Sequence, residues 1–534
     1  ASLPETEDDG AGRWHRLRDA AERSALAAAA VLTVAVLLVV FYYPVSRVFI
    51  EAILVEGQVT LQVFWAILTD PFYTGEVGRV LSGASPVGAV ERLFTGRARQ
   101  GVIGFTAYQA ALSTVASVAL GLPGAYLLAR YEFRGRTLLR SLTMLPFVLP
   151  SMMVAVGFVA TFGSRGTLNA ALGTFGLGQV EVLYTLEAIV IAHAFYNAPL
   201  VIRMTTAAWE SVDAGAVETA RSLGASPLHA FRTVVAPQLL PAVVMSAALT
   251  FVFTFGSFPI VLALGGYDLV TVEVFVFQLI DQFDYAEAAA LALIELTISL
   301  SLMYAYLRYE ARQAGRTRGA RPLARRSLLP DRLTPREVLP RLGLAAYAVV
   351  AGLVFLAPIA SMVYASVSGP AGLTLDHFQF LVERQTTGAA FQVRPLPAVL
   401  NSLQFAAASL ALALPMGVVV AVLTTRNYRG RSLVGAAAMA PLAVSGIVVG
   451  LGLLRGLVFG VEVGGHRIAI DGAAAIIAAH AVAGYPFVVR VVAPGMDRLD
   501  PSLVESARAL GAPRVRALID IELPLVWPGV VAGA

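Results

Sequence analysis

Residues 192–203 read AHAFYNAPLVIR, and residues 479–490 read AHAVAGYPFVVR. The likeness runs on without a gap at a fixed offset of 287 positions. VETARSLGA (217–225) returns as VESARALGA (504–512), and Pro237 and Pro241 return as Pro524 and Pro528. Between Ala192 and Ala247, 20 of 56 positions carry the same residue as their partner. A repeat this long and partly polar, set among apolar runs, implies two homologous halves. Each half carries one charged segment built for the same task.

Composition places those halves in a bilayer. Of the 534 residues 57% are hydrophobic and 14% charged, with a mean hydropathy of +0.73, which excludes a soluble globular chain. Apolar runs of about 18 or more residues are long enough to cross a hydrocarbon core of roughly 30 Å as helices. The expected fold is an all-α polytopic membrane protein: two parallel homologous helix bundles of about six spans each, the second truncated at its C-terminus. A polar N-terminal tail occupies residues 1–24, the first half 25–307, a basic linker 308–341, and the second half 342–534. Spans are expected near 24–43, 102–129, 138–162, 184–207, 239–264 and 286–307, then near 342–366, 397–424, 433–459 and 472–494. The stretch from 44 to 99 reads as an external excursion with short helices. Ala534, the partner of Ala247, falls inside what reads as a further span, so the second half is expected to lack its last two helices.

Cysteine is absent, which excludes disulfides, thiol catalysis, Cys-ligated zinc and iron–sulfur clusters. Every basic residue is arginine. A phosphate loop of the G-x-x-x-x-G-K-[ST] type needs its lysine on the β/γ-phosphates, so any ATP chemistry must come from another subunit. No cofactor or metal site is implied, and the arginines of 308–341 are more economically a positive-inside linker than a nucleic-acid-binding arm.

Arginine is concentrated in RWHRLR (13–18), YEFRGR (131–136), the linker and RNYRGR (426–431). These segments are expected on one side, the cytoplasm, which also receives the Glu218 and Glu505 segments. The intervening loops 163–181 and 265–284 are poor in arginine. An even number of spans per half makes the repeats parallel.

Residues 208–241 read as a surface helix–turn–helix. Trp209 to Leu223 is a helix-forming run too charged for lipid, and Gly224 suits the positive φ of a C-terminal turn. Ser226 and Pro227 restart a helix, expected to end before Pro237. Glu218 and Arg221, three apart, can pair with each other or with a partner.

The pattern E-x-A-x-x-x-G followed by proline, present twice, resembles the cytoplasmic EAA loop of permease subunits in binding-protein-dependent ABC importers. Carried over, the matching residues are Glu218, Ala220, Gly224 and Pro237 in the first copy, and Glu505, Ala507, Gly511 and Pro524 in the second. Thr219 and Ser506 replace the family's middle alanine, and Ala236 its leucine before the proline. Two halves fused in one chain, with LPFVLPSMMVAVGF (145–158) and HAFYNAPLVIR (193–203), resemble the iron(III)/thiamine-type permeases. The resemblance implies alternating access in the plasma membrane of a prokaryote, with iron(III) or thiamine as cargo. Its implied partners are two copies of an ABC ATPase subunit at the cytoplasmic face and an external substrate-binding protein.

Ionisable or polar groups inside spans are functional candidates by default. Glu295 reads as a pathway group or as a buried hydrogen-bonded structural one. His193 and His480, at matched positions, read as helix–helix hydrogen bonders or pathway residues. Asn197, beside Pro199, has Gly484 as its counterpart. Asp281 and Asp284 are expected toward the outside. An ion- or proton-coupled secondary transporter is the alternative that twofold repeats and Glu295 would also serve; a membrane receptor or assembly protein would leave the repeat unexplained.

Overall fold

A computed structural model describes residues 27–55, 57–94, 99–143, 145–266, 269–313, 322–328, 335–369, 372–387, 394–426 and 428–533. Among them, eight helices are long and apolar enough to cross a membrane, and a bent pair makes a ninth candidate. In chain order, the helices used below are α1 (Ala27–Ile53), α2 (Gly101–Arg130), α3 (Ser151–Phe162), α4 (Leu186–Glu210), α5 (Ala214–Ser222), α6 (Pro227–Phe255), α7 (Val272–Asp281) and α8 (Tyr285–Glu310). They continue with α9 (Val338–Ser366), α10 (Pro395–Thr425), α11 (Gly446–Val458), α12 (Gly472–Asp497), α13 (Pro501–Ala509) and α14 (Leu523–Gly533). Valines and leucines such as Leu353, Leu356 and Leu403 stay exposed on α9 and α10, as faces meant for lipid require.

Two expected spans are broken. Residues 138–162 form three short helices interrupted near Pro146 and Pro150, and 433–459 bends by 89° between Leu442 and Gly446. Proline removes an amide donor and its ring crowds the preceding turn, so these runs are apolar enough to span but not straight. The arginine-poor stretch 265–284 holds α7, whose Val274 and Val276 are fully buried.

The helix expected to end before Pro237 instead runs through it. A π-turn at Phe231–Val235 widens the ladder two residues before Pro237, and the same device precedes Pro44 (Leu38–Tyr42) and Pro524 (Leu518–Glu522). In each case the carbonyl four residues back, which the proline cannot satisfy, lies within the widened turn.

The chain forms two compact units that cut across the sequence halves. One joins the described residues of 1–59 to those of 384–534; the other holds those of 60–383. In the first unit, α1 packs on α11: a Cβ added at Gly452 would lie 2.6 Å from the carbonyl carbon of Pro44. Glu51 and Arg455 form a 2.6 Å ion pair across the same contact. In the second unit, α9 packs on α3, with Gly157 against the carbonyl of Pro358. Each repeat's opening helix is thus lodged beside the other repeat's later helices.

Within each unit the long central helices cross closely. A Cβ on Gly121 would stand 2.7 Å from Cβ of Val201, and one on Gly417 would stand 2.5 Å from Cβ of Val488, the residue matched to Val201 in the repeat. Missing side chains let the helix backbones approach, which substitutes for the hydrophobic drive that lipid cannot supply.

Candidate functional site

After α4 ends at Glu210, the chain breaks at Ser211–Asp213 rather than continuing as one helix from Trp209. Asp213 caps α5, its carboxylate accepting from the Gly215 amide at 3.0 Å. Asp500 caps α13 in the same way, accepting from the Ser502 amide at 3.0 Å. Hydrogen bonds from the Ser502 amide and hydroxyl hold the Asp500 carboxyl below its ordinary pKa.

The C-terminal turns also match. Gly224 donates to the Arg221 carbonyl at 3.1 Å and Ala225 to the Ala220 carbonyl at 3.1 Å. In the second copy Gly511 donates to Arg508 at 3.0 Å and Ala512 to Ala507 at 2.9 Å. This paired pattern is a Schellman cap, which requires a left-handed residue after the last turn. Gly224 and Gly511 supply it with φ of +88° and +87°. The motif's alanines, Ala220 and Ala507, are half-buried, and Pro237 and Pro524 are exposed. Glu218 and Glu505 are exposed on their helices, while Arg221 donates to the Ala225 carbonyl at 2.6 Å instead of to Glu218.

One feature of these turns escaped the sequence reading. Leu223 and Leu510, just before each glycine, are 84% and 90% exposed. They sit in register in ARSLGA and ARALGA, so the signal was present. What hid it is that a leucine at a helix end is ordinarily core. Each pair of motif residues therefore forms one rigid, capped surface element presenting a carboxylate and an apolar side chain.

The intramembrane candidates separate. His193 is buried, with Nδ1 3.1 Å from Ser113 Oγ and Nε2 2.9 Å from Ser257 Oγ, so it ties α4 to α2 and to the end of α6. Its repeat partner His480 is exposed, and its Nδ1 lies 2.8 Å from the Ile476 carbonyl of its own helix. Asn197 donates to the His193 carbonyl at 3.0 Å and to Thr254 Oγ1 at 3.4 Å. Gln109, fully buried on α2, donates to the Thr254 carbonyl at 3.1 Å. Glu295 is 1% exposed and meets the carboxyl of Glu273 on α7, both beside Gly256. Glu273, Gln109 and Ser113 were missed because one polar residue in an apolar run gives no clue to its neighbours. Asp281 is exposed, and Asp284 caps α8 by accepting from the Glu287 amide.

Two homologous multi-pass helical halves, each with a capped helix–turn–helix after its buried central helix, define the membrane-embedded component of a solute transporter. The family described as "Binding-protein-dependent transport system inner membrane component" matches residues 121–314 and 409–534. The chain belongs to that family, and is a membrane permease of the binding-protein-dependent ABC importer type. It is 33% identical over 217 residues to the sulfate transport system permease protein CysT of Salmonella typhimurium, covering 40% of this chain and 77% of that protein. It is 30% identical over 402 residues to the thiamine transport system permease protein ThiP of Brucella abortus, covering 74% of this chain and 68% of that protein. Membership in this family does not favour the secondary-transporter alternative.

Proposed function

We propose that the chain forms the translocation pathway of an ATP-driven importer in a prokaryotic plasma membrane, with α5 and α13 each docking on one of two separate ATPase subunits. An external binding protein delivers the solute, and closure of the ATPase pair moves both surface helices and rocks the bundles. The N-terminal tail, the linker and both surface helices face the cytoplasm, in keeping with their arginine. The observation that carries the reading is the matched pair of Schellman-capped helices, each with an exposed glutamate and leucine. A capped helix transmits motion where a flexible loop would absorb it. Burying Leu223 and Leu510 in a partner is worth about 1.5–3 kcal/mol each.

For cargo, thiamine is favoured over iron(III). The thiamine permease relative aligns over 402 residues, long enough to reach across both halves, whereas the sulfate permease relative aligns over 217. Neither bears on iron.

The test is to reconstitute the chain with its ATPase and binding protein and replace Gly224 by alanine or asparagine. Forcing alanine into the left-handed region costs roughly 1–2 kcal/mol, whereas asparagine tolerates it. Gly224→Ala is expected to lower transport and ATPase retention with the bundle folded, and Gly224→Asn to stay near wild type. Combined Leu223→Ser and Leu510→Ser substitution should release the ATPase. Wild-type co-purification and transport in the double leucine variant would sink the docking role. Uptake of labelled thiamine, compared with iron(III), decides the cargo.

A further inference from the structure

The linker between the halves reads as a charged tether, yet residues 322–328 are built into the face that carries α5. Arg326 and Ser327 pair in parallel with Tyr131 and Glu132, and Leu328 donates to the Glu132 carbonyl at 3.0 Å. Pro322 bridges to Asp213, the residue that caps α5. Leu323 packs on the cluster of Ala129, Trp209, Val212, Val235 and Leu239, which lies where α2, α4 and the root of α6 meet. Arg325 reaches Glu210, the last residue of α4, at 3.1 Å and Glu132 at 3.4 Å. Glu210 is also held by Arg136 at 2.9 Å. Arg130 donates to the Ala324 carbonyl at 3.1 Å and Arg341 to the Leu328 carbonyl at 2.8 Å.

We propose that residues 322–328 are a strap that fixes the α4–α5 junction to the 131–136 loop, with Arg325 as its positioning residue, so that the first surface helix is held more stiffly than the second. Among the described residues such a pairing lies beside α5 and none lies beside α13, so the strap makes the two docking elements unequal. A bridge at Asp213, an apolar anchor at Val212 and an ion pair at Glu210 tie the α4–α5 junction to the strap, and the strand pairing ties the strap to Tyr131 and Glu132. Motion imposed on α5 then passes to α2 through the 131–136 loop as well as to α4 and α6. The contribution to coupling rests on α5 being an ATPase-docking helix, as proposed above; the strap itself does not.

Hydrogen exchange on the full chain in lipid nanodiscs, without any ATPase, tests the strap. Partly exposed ion pairs are weak, so Arg325→Ala should speed exchange in α5 by roughly two- to five-fold. Replacing 322–328 with Gly and Ser of equal length should speed it further, and Arg325→Lys should recover part of the protection. Amides of α13 serve as the internal control and should not change. Unchanged α5 exchange in the replaced strap, or equal acceleration of α5 and α13, overturns the proposal. In the assembled transporter, the replaced strap should lower solute moved per ATP hydrolysed while the KM for ATP stays constant. An unaltered ratio removes the positioning role. Should the leucine variants retain the ATPase, the docking reading falls while the exchange result still decides the strap.

Discussion

Gly452→Ala tests the packing of the opening helix against the opposite repeat. The added methyl would sit 2.6 Å from the carbonyl carbon and 3.0 Å from Cβ of Pro44, both rigid parts of α1. Relief requires one helix to move, because no flexible side-chain end is available to yield. Overpacking of this kind costs about 1–3 kcal/mol. The gain from replacing a helical glycine by alanine is about 0.5–1 kcal/mol, so a net loss of up to roughly 2.5 kcal/mol is expected. Gly450, two residues earlier on the same helix, has nothing within 4 Å of its would-be Cβ. Gly450→Ala should therefore be neutral or slightly stabilising. Gly157→Ala, at the matching contact of the other unit, meets the Pro358 carbonyl oxygen at 3.0 Å and should fall between them. The assay is the apparent thermal midpoint of the purified full chain in one detergent, read by size-exclusion fluorescence at a fixed heating time, because membrane-protein unfolding is commonly irreversible. The expected order of stability is Gly450→Ala, Gly157→Ala, Gly452→Ala. Gly452→Ala as stable as Gly450→Ala would refute the packing of α1 on α11.

His193→Ala should strand the buried Ser113 hydroxyl, remove a partner of the half-buried Ser257, and cost about 1–3 kcal/mol, whereas His480→Ala should change stability little. Comparison of the two midpoints checks this. Asp500 has a folded pKa depressed below its ordinary 3.8, so its contribution to α13 is present above that value and lost as pH falls through the lower folded one. Exchange protection of α13, corrected for intrinsic rates, should be flat down to about pH 4 and decline below it, and Asp500→Asn should remove that decline.

The glycine turns that end the surface helices were legible in the sequence, whereas the aspartate caps that start them were not: the run reads as helical from Trp209, and the structure breaks it at Ser211–Asp213. A glycine forced to positive φ acts within a few residues, and a second copy at a constant offset repeats the instruction. Even there, Leu223 and Leu510 look like core until the turn is seen to point them outward. The buried cluster was legible only in part. His193, Asn197 and Glu295 are conspicuous in apolar runs, but their partners Ser113, Ser257, Gln109 and Glu273 come from other helices.

The sequence by itself determined the class of fold, the duplication and the glycine-ended turns, because hydropathy, repetition and a glycine's conformational freedom are properties of contiguous residues. Only the tertiary structure decided which helix lies against which. The placement of α1 beside α11 and α9 beside α3, the different environments of two matched histidines, and the folding of linker residues 322–328 onto the first half all depend on contacts between distant segments. In an apolar chain these contacts are set by close backbone approach at glycines and by isolated polar partners. Neither leaves a periodic trace along the sequence.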